Sequence, residues 1–173
     1  MDGGFGFGNQ LIFPSGPLRE RVSFGAKKAD IVVIIGNDKF KCAKRFFKKN
    51  KVINAKIVVK NKSSFKDEKL VAFCGIGRPS KFFETLKSEK LKVVKEVGFS
   101  DHYNYKESDL NRLVRQAESR DATLITTKKD WVRLSDKYKN EVKYLDVELK
   151  IDQVDKNYIK KKLKNLLQGE TNA

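Results

Sequence analysis

Short apolar segments alternate with amphipathic segments along most of this chain, and this alternation limits the fold more than any other feature. Residues 29–36, ADIVVIIG, form a β-branched run that ends in glycine, which is typical of a buried parallel strand. Further strands are predicted at residues 55–60, 70–74, 91–97, 122–126 and 142–149. A chain in which strands and helices alternate in this way is expected to form an α/β fold, with a mainly parallel sheet flanked by helices.

Amphipathic spacing predicts the helices between these strands. Phe40, Ala43, Phe46 and Phe47 recur at helical spacing and predict the buried face of one helix. Pro79 begins another helix, because its fixed φ and missing N–H suit the first helical position. The remaining helices are predicted around residues 110–117, 128–138 and 153–167.

Composition along the chain predicts three parts. Residues 1–19 are rich in Gly and Pro and form a loop, and so much apolar character in a loop predicts an upstream segment that packs against it. Residues 61–69 are polar enough to be a linker. We therefore expect one part over residues 1–69, a smaller α/β lobe over residues 70–127, and a helix-strand-helix over residues 128–173 that returns to the main body.

The strong positive charge limits the classes of partner. The 173 residues include 38 Lys and Arg against 22 Asp and Glu, a formal net charge of +16. Such a surface attracts polyanions, so nucleic acid, an anionic membrane and phosphorylated substrates are all candidate partners. Because the lysines are spread along the whole chain, the alternative is that many of them only solvate helix faces.

The remaining composition favours a cytoplasmic setting. The longest apolar runs are far shorter than the roughly 20 residues that span a bilayer, and residues 1–9 do not resemble a signal peptide. Cys42 and Cys74 are far apart and His102 is the single histidine, so no zinc site is expected. We therefore expect both cysteines to be buried free thiols in a protein of a reducing compartment.

Ligands of parallel α/β sheets bind where strands end and helices begin, and three such junctions carry chemically useful residues. The first combines Gly75 and Gly77, which allow a close backbone approach, with Arg78, which suits a phosphate or carboxylate. The alternative for this junction is a tight turn with a solvent-exposed arginine.

The second junction places His102 beside Asp101, in a loop between a strand and a helix. An imidazole there can accept a proton from a substrate hydroxyl, and a neighbouring carboxylate can orient it. The alternative is a structural turn in which both side chains bond to local backbone.

The third junction predicts a helix capped by Thr127, with Asp130 at the third helical position. Lys128 and Lys129 fall in the first turn of this helix, where the positive end of the helix dipole disfavours cations, so a nearby anion would explain them. The alternative is that both lysines extend into solvent.

Several catalytic motifs are absent from the sequence. It contains no GxxxxGK[ST], GxSxG or HExxH segment. A P-loop kinase therefore cannot be assembled from this chain alone.

In their order along the chain, these segments resemble the tetraacyldisaccharide 4'-kinase family. The match rests on GFGN at residues 6–9, PSGPLRE at residues 14–20, VAFCGIGRP at residues 71–79, the Asp101-His102 pair, and Thr126, Thr127, Lys129 and Asp130. It covers nearly all of this chain and about the C-terminal half of a usual family member, without the P-loop segment.

The resemblance implies both fold and function. The fold would be part of a P-loop NTPase-related kinase, and the reaction would be phosphorylation of the 4'-hydroxyl of tetraacyldisaccharide 1-phosphate by ATP with Mg²⁺, at the cytoplasmic face of the inner membrane. His102 would activate the hydroxyl, with an aspartate from the N-terminal half as partner and Asp101 as the neighbouring substitute. The residues implied in the cleft are Asn9, Arg19, Arg78 and Lys129, whereas Lys128 stands where the family commonly has Glu.

The expected partners are the lipid A disaccharide precursor, the anionic inner-membrane surface and a separate N-terminal kinase half. We expect no ATP or Mg²⁺ site in this chain alone, and little activity without a P-loop from another polypeptide. One alternative is a non-catalytic remnant, or half of a split kinase, that acts as an interaction domain. A basic nucleic-acid-binding module is a further alternative that is not favoured, because the phenylalanines between the lysines have core-facing spacing.

Overall fold

The computed structural model describes residues 1–169, and its strands form two sheets. The four-stranded sheet has the order β4-β3-β5-β6, and all its strand pairs are parallel. Its strands are β3 (Lys69–Cys74), β4 (Lys92–Gly98), β5 (Thr123–Thr127) and β6 (Val142–Leu145). The three-stranded sheet has the order β1-β2-β7, from β1 (Ile31–Ile35), β2 (Lys51–Val59) and β7 (Val147–Ile151), and β1 pairs with β2 in parallel.

The helices are mostly short. They are α1 (Val22–Lys28), α2 (Cys42–Phe46), α3 (Pro79–Ser88), α4 (Glu107–Glu118), α5 (Lys128–Trp131), α6 (Asp136–Lys139) and α7 (Gln153–Gly169), with a 3₁₀ turn at Lys62–Phe65. No helix within residues 1–169 has an apolar stretch long enough to cross a membrane.

The chain divides into two compact units. Unit 1 contains Met1–Val58 and the segment from Leu149 onward, and unit 2 contains Val59–Glu148. These bounds differ from the predicted boundaries after residues 69 and 127. The difference arises because β6 pairs with β5 in the four-stranded sheet, while β7 joins β1 and β2.

Unit 2 buries both faces of its sheet around the central strand β3. Leu70, Ala72 and Cys74 pack on one side, where α3 contributes Phe82, Phe83 and Leu86. Val71 and Phe73 pack on the other side against residues of α4. Burial of one such Leu or Phe side chain contributes about 1.5–3 kcal/mol, so this core holds the turns at the carboxyl ends of the strands in fixed positions.

The α/β class and the parallel sheet are confirmed, but four predicted elements are wrong in detail. Phe40 is 50% exposed and lies before α2 instead of on its buried face, because Lys41 adopts a left-handed conformation that delays the helix. The predicted helix at residues 128–138 is the pair α5 and α6, and the strand at residues 142–149 is the pair β6 and β7. The predicted linker contains Phe65, which is buried, and α1 was not predicted.

Candidate functional site

The candidate site lies at the carboxyl edge of the four-stranded sheet. The parallel strands β3, β4 and β5 end there at Cys74, Gly98 and Thr127. The turns that follow these strands carry the three predicted junctions. Parallel pairing therefore brings together residues that are far apart in the sequence.

His102 sits at the tip of the turn that follows β4. Its φ of 56° is left-handed, a conformation that costs a residue other than glycine about 1 kcal/mol. The backbone N–H of His102 donates to the carbonyl of Gly75 at 3.1 Å, which fixes the turn against the end of β3. The side chain is 69% exposed, so the imidazole is accessible to a substrate.

Lys129 and Asp101 lie on either side of the imidazole. The Nζ atom of Lys129 is 3.3 Å from Nε2 of His102, and Oδ1 of Asp101 is 3.9 Å from the same nitrogen. Lys129 and Asp101 are themselves 4.0 Å apart. Because an ammonium group only donates, its contact with a neutral imidazole requires Nε2 to be the acceptor and places the ring proton on Nδ1.

Arg133 holds the backbone of the histidine turn. Its Nη2 atom donates to the carbonyl oxygens of His102 and Tyr103, both at 2.8 Å. The sequence analysis did not assign Arg133 to the site. Its position three residues after Asp130 in the predicted helix 128–138 was the available signal, because residues at this spacing share a helix face.

Asp130 connects the turns after β3 and β5 from inside the protein. The residue is fully buried, and its Oδ2 atom accepts hydrogen bonds from the Gly75 backbone N–H at 3.1 Å and from the Thr127 hydroxyl at 2.8 Å. Its Oδ1 atom lies 3.8 Å from Nη1 of Arg133, which supplies the opposite charge. The predicted cap is confirmed, since Thr127 Oγ1 accepts from the Asp130 N–H at 3.1 Å.

The phenol of Tyr105 lies next to the buried carboxylate of Asp130. Burial raises the pKa of the Tyr105 phenol strongly, and the negative charge of Asp130 raises it further. A Cβ atom at Gly75 would lie 2.9 Å from the Tyr105 hydroxyl and 3.2 Å from the Ser100 carbonyl oxygen. Only glycine therefore allows the turn after β3 to approach the turn after β4 this closely.

Arg78 belongs to the same edge of the sheet. It is the N-cap residue of α3, directly after Gly77, and Pro79 occupies the first turn as predicted. A Cβ atom at Gly77 would lie 3.3 Å from Oδ2 of Asp101, so the turn that carries Arg78 runs close to that carboxylate. Unit 2 thus contains Arg78, Asp101, His102 and Lys129.

Asn9 and Arg19 lie in unit 1. The side chain of Asn9 closes its own loop, because Nδ2 donates to the Ser15 carbonyl at 2.8 Å and Oδ1 accepts from the Leu11 N–H at 3.1 Å. Arg19 lines a mostly apolar cleft of about 360 Å³ together with Val22 and Phe47. Their role in a catalytic cleft stays a prediction.

Potential metal ligands are dispersed in the part of the chain that the structure describes. Within residues 1–169, no three His, Cys, Asp or Glu side chains converge in a way that could hold a metal ion. Burial raises the pKa of the Cys74 thiol to about 12, with a smaller contribution from Asp130. That thiol is therefore neutral at ordinary pH and is no metal ligand in this state.

Comparison with known proteins identifies the family. The family model for tetraacyldisaccharide-1-P 4'-kinase (LpxK) matches residues 1–168. The chain belongs to this family. The resemblance carried by the motifs at residues 6–20, 71–79, 101–102 and 126–130 is thereby confirmed.

Relatives in this kinase family come from Rickettsia. The tetraacyldisaccharide 4'-kinase of Rickettsia africae is 39% identical over 150 residues, which cover 86% of this chain and 46% of the relative. That of Rickettsia bellii is 40% identical over 147 residues, covering 84% of this chain and 45% of the relative. The chain therefore spans about half the length of the relatives it matches.

A solved structure supports the fold. LpxK from Aquifex aeolicus, crystallised in complex with ATP, matches 86% of this chain and 46% of its own length with a TM-score of 0.58. The sequence identity is 23%, so the likeness concerns the fold. It confirms the predicted relation to a P-loop kinase fold.

Proposed function

We propose that this chain provides the acceptor-side machinery of a lipid A 4'-kinase. The reaction is the transfer of a phosphoryl group from ATP to the 4'-hydroxyl of a tetraacylated disaccharide 1-phosphate. The observation that carries the proposal is the exposed imidazole of His102, which a strained and doubly anchored turn presents next to Lys129 and Asp101. Backbone strain of this kind concentrates at functional sites.

Proton transfer to His102 is the step that these residues support. The proton of the 4'-hydroxyl passes to Nε2, the oxygen forms a bond to the γ-phosphorus, and the bond between that phosphorus and the leaving ADP breaks. The Nζ atom of Lys129 lies 3.3 Å from Nε2 in the structure. When the substrate hydroxyl occupies the position next to Nε2, the ammonium group of Lys129 can instead pair with phosphate oxygens. Arg78 is a second candidate for binding these phosphate oxygens.

Nucleotide and Mg²⁺ binding are assigned to a P-loop segment. Bound MgATP supplies the phosphoryl group and neutralises charge on it. The sequence contains no GxxxxGK[ST] segment, which is the motif that holds nucleotide phosphates and Mg²⁺ in P-loop kinases. We therefore propose that activity requires a P-loop segment, and that Asn9 and Arg19 complete the cleft.

The proposed place of action is the cytoplasmic face of the inner membrane. Lysines and arginines near an anionic leaflet contribute about 1 kcal/mol each, so a net charge of +16 favours peripheral attachment beside a lipid substrate.

A phosphoryl-transfer assay tests the kinase proposal. Radiolabelled ATP and tetraacyldisaccharide 1-phosphate are incubated with this chain alone, and with this chain plus a purified P-loop segment of the same family. Labelled product is expected only from the combination. Replacing His102 with Gln should lower kcat by about 10²- to 10⁴-fold, with the free energy of unfolding unchanged.

A matched control and clear alternatives complete the assay. Asp136 is an exposed residue outside the site, and the D136N variant should keep full activity. Product from the chain alone would contradict the need for a P-loop segment. Equal activity of H102Q and the unmodified chain would refute the role of His102. If the chain binds the P-loop segment but the pair forms no product, the result would favour a non-catalytic interaction domain.

A further inference from the structure

A strongly basic cleft lies in unit 1, and none of the residues predicted for the catalytic site lines it. Its volume is about 740 Å³, and it is lined by Lys39, Phe40, Lys41, Lys44, Arg45 and Lys48 together with the ring of Phe46. We name this feature the basic cleft. It follows β1 directly and includes the first turn of α2.

The positive charge of the basic cleft is not compensated locally. Within residues 1–169, none of its five cations forms an ion pair with a carboxylate. Asp38 is the neighbouring acid, and both of its oxygens accept backbone hydrogen bonds, from Cys42 at 2.8 Å and from Ala43 at 2.9 Å. Three other lysines among the described residues of unit 1 pair with a carboxylate, as Lys51 does with Asp155 at 2.7 Å.

The backbone that carries these cations is fixed. The Lys39 N–H donates to the Gly3 carbonyl at 3.0 Å, and Lys41 is held at a left-handed φ of 52°. The ring of Phe40 lies against Gly6, where a Cβ atom would be 3.2 Å from Cδ2 of that ring. Lysines of like charge are thus held together by the fold, at an electrostatic cost that a bound anion would offset.

Aromatic groups accompany the charges. Phe40 is 50% exposed beside the lysines, and the guanidinium of Arg45 lies 5.0 Å from the centre of the Phe46 ring. A stacked guanidinium keeps its N–H groups oriented for a planar or tetrahedral anion. The volume is in the range of small-ligand pockets, about 300–1,000 Å³, whereas a long nucleic acid strand needs an extended groove.

From these observations we propose that the basic cleft binds a ligand with clustered phosphate groups, either free in solution or as lipid headgroups. The five cations attract the phosphate oxygens, and Arg45 donates to them in a bidentate manner. The half-exposed ring of Phe40 covers an apolar part of the ligand. His102 lies in unit 2 and does not line this cleft.

Calorimetric titration with pyrophosphate, and co-sedimentation with phosphatidylglycerol vesicles, test the proposal on the full chain. The variant K44Q/R45Q/K48Q removes three charges from the basic cleft. The control K156Q/K160Q/K164Q removes three charges from exposed positions of α7 in the same unit. The cleft variant should weaken binding of at least one probe about tenfold or more, and the control by less than about twofold.

The outcomes separate the sources of the phosphate. Loss of pyrophosphate binding in the cleft variant supports a soluble ligand, and loss of vesicle binding alone supports a lipid headgroup. Absence of binding to both probes, or equal weakening in both variants, would overturn the proposal. So would tighter binding of an oligothymidylate than of either probe, with loss in the cleft variant, because the site would then serve nucleic acid. Circular dichroism checks that both variants fold.

Discussion

The Asp130 Oδ2 atom accepts a hydrogen bond from the backbone N–H of Gly75 at 3.1 Å, so a residue that follows β5 fixes the turn that follows β3. Gly75 in turn accepts from the N–H of His102 through its carbonyl oxygen. One buried carboxylate thereby influences the position of the exposed imidazole through a single intervening residue. A change at Asp130 should affect both stability and the geometry of the histidine turn.

Replacing Asp130 with Ala should lower the free energy of unfolding by about 2–4 kcal/mol, because buried hydrogen-bond donors lose their acceptor and Arg133 loses its counter-charge. Urea unfolding followed by the fluorescence of Trp131, the single tryptophan, measures this change. The control D136N removes an exposed carboxylate and should change stability by less than about 0.5 kcal/mol. Equal effects of the two variants would contradict the role of Asp130.

Replacing Gly75 with Ala should lower the free energy of unfolding by about 1–3 kcal/mol, because the new Cβ atom would lie 2.9 Å from the Tyr105 hydroxyl and 3.2 Å from a backbone oxygen. The same measurement on G25A is the control. Gly25 lies in α1, where a Cβ atom meets its nearest neighbour at 3.7 Å, so alanine should stabilise that helix by about 0.5–1 kcal/mol. A stable G75A protein would show that the turns can separate at little cost.

Neither cysteine should react with Ellman's reagent in the folded protein near pH 8. Cys74 is fully buried with its pKa raised to about 12, and Cys42 is 2% exposed with its pKa raised by burial and then by Asp38. Both thiols should react once urea unfolds the chain. Rapid reaction of one thiol without urea would show that its surroundings open locally.

The raised pKa of Cys74 also predicts a loss of stability at high pH. Below the ordinary thiol pKa near 9 the group is neutral in both states, and between about 9 and about 12 only the unfolded state ionises it. The free energy of unfolding should therefore fall over this interval. The fall should be smaller in C74A, which has no thiol at this position, and equal slopes would contradict the prediction.

The sequence predicted the parallel sheet and most of the elements that carry the site, because β3 and α4 have apolar patterns that local physics can interpret. The sequence also indicated His102, Asp101 and Lys129 as candidate site residues, because each lies in a turn that follows a predicted strand. It did not predict that Asp130 bonds to Gly75 or that Arg133 bonds to His102, because these partners lie 55 and 31 residues away and come close only through strand order. The split of residues 142–149 into β6 and β7 likewise depends on which sheet each half joins.

Replacing Arg133 with Gln should change the surroundings of His102, and it should also lower the free energy of unfolding because the buried carboxylate of Asp130 loses its counter-charge. The guanidinium donates to the carbonyls of His102 and Tyr103, and glutamine is too short to reach both. Because the chain has one histidine, the imidazole Hε1 proton gives one signal in an NMR spectrum, and this signal should shift and broaden in R133Q. The control R120Q removes a guanidinium that bonds within its own helix end, at Gln116 and Ser119, and should leave the signal in place. An unchanged signal in R133Q would show that Gly75 alone holds the histidine turn, and Arg133 would then have no part in positioning the candidate base.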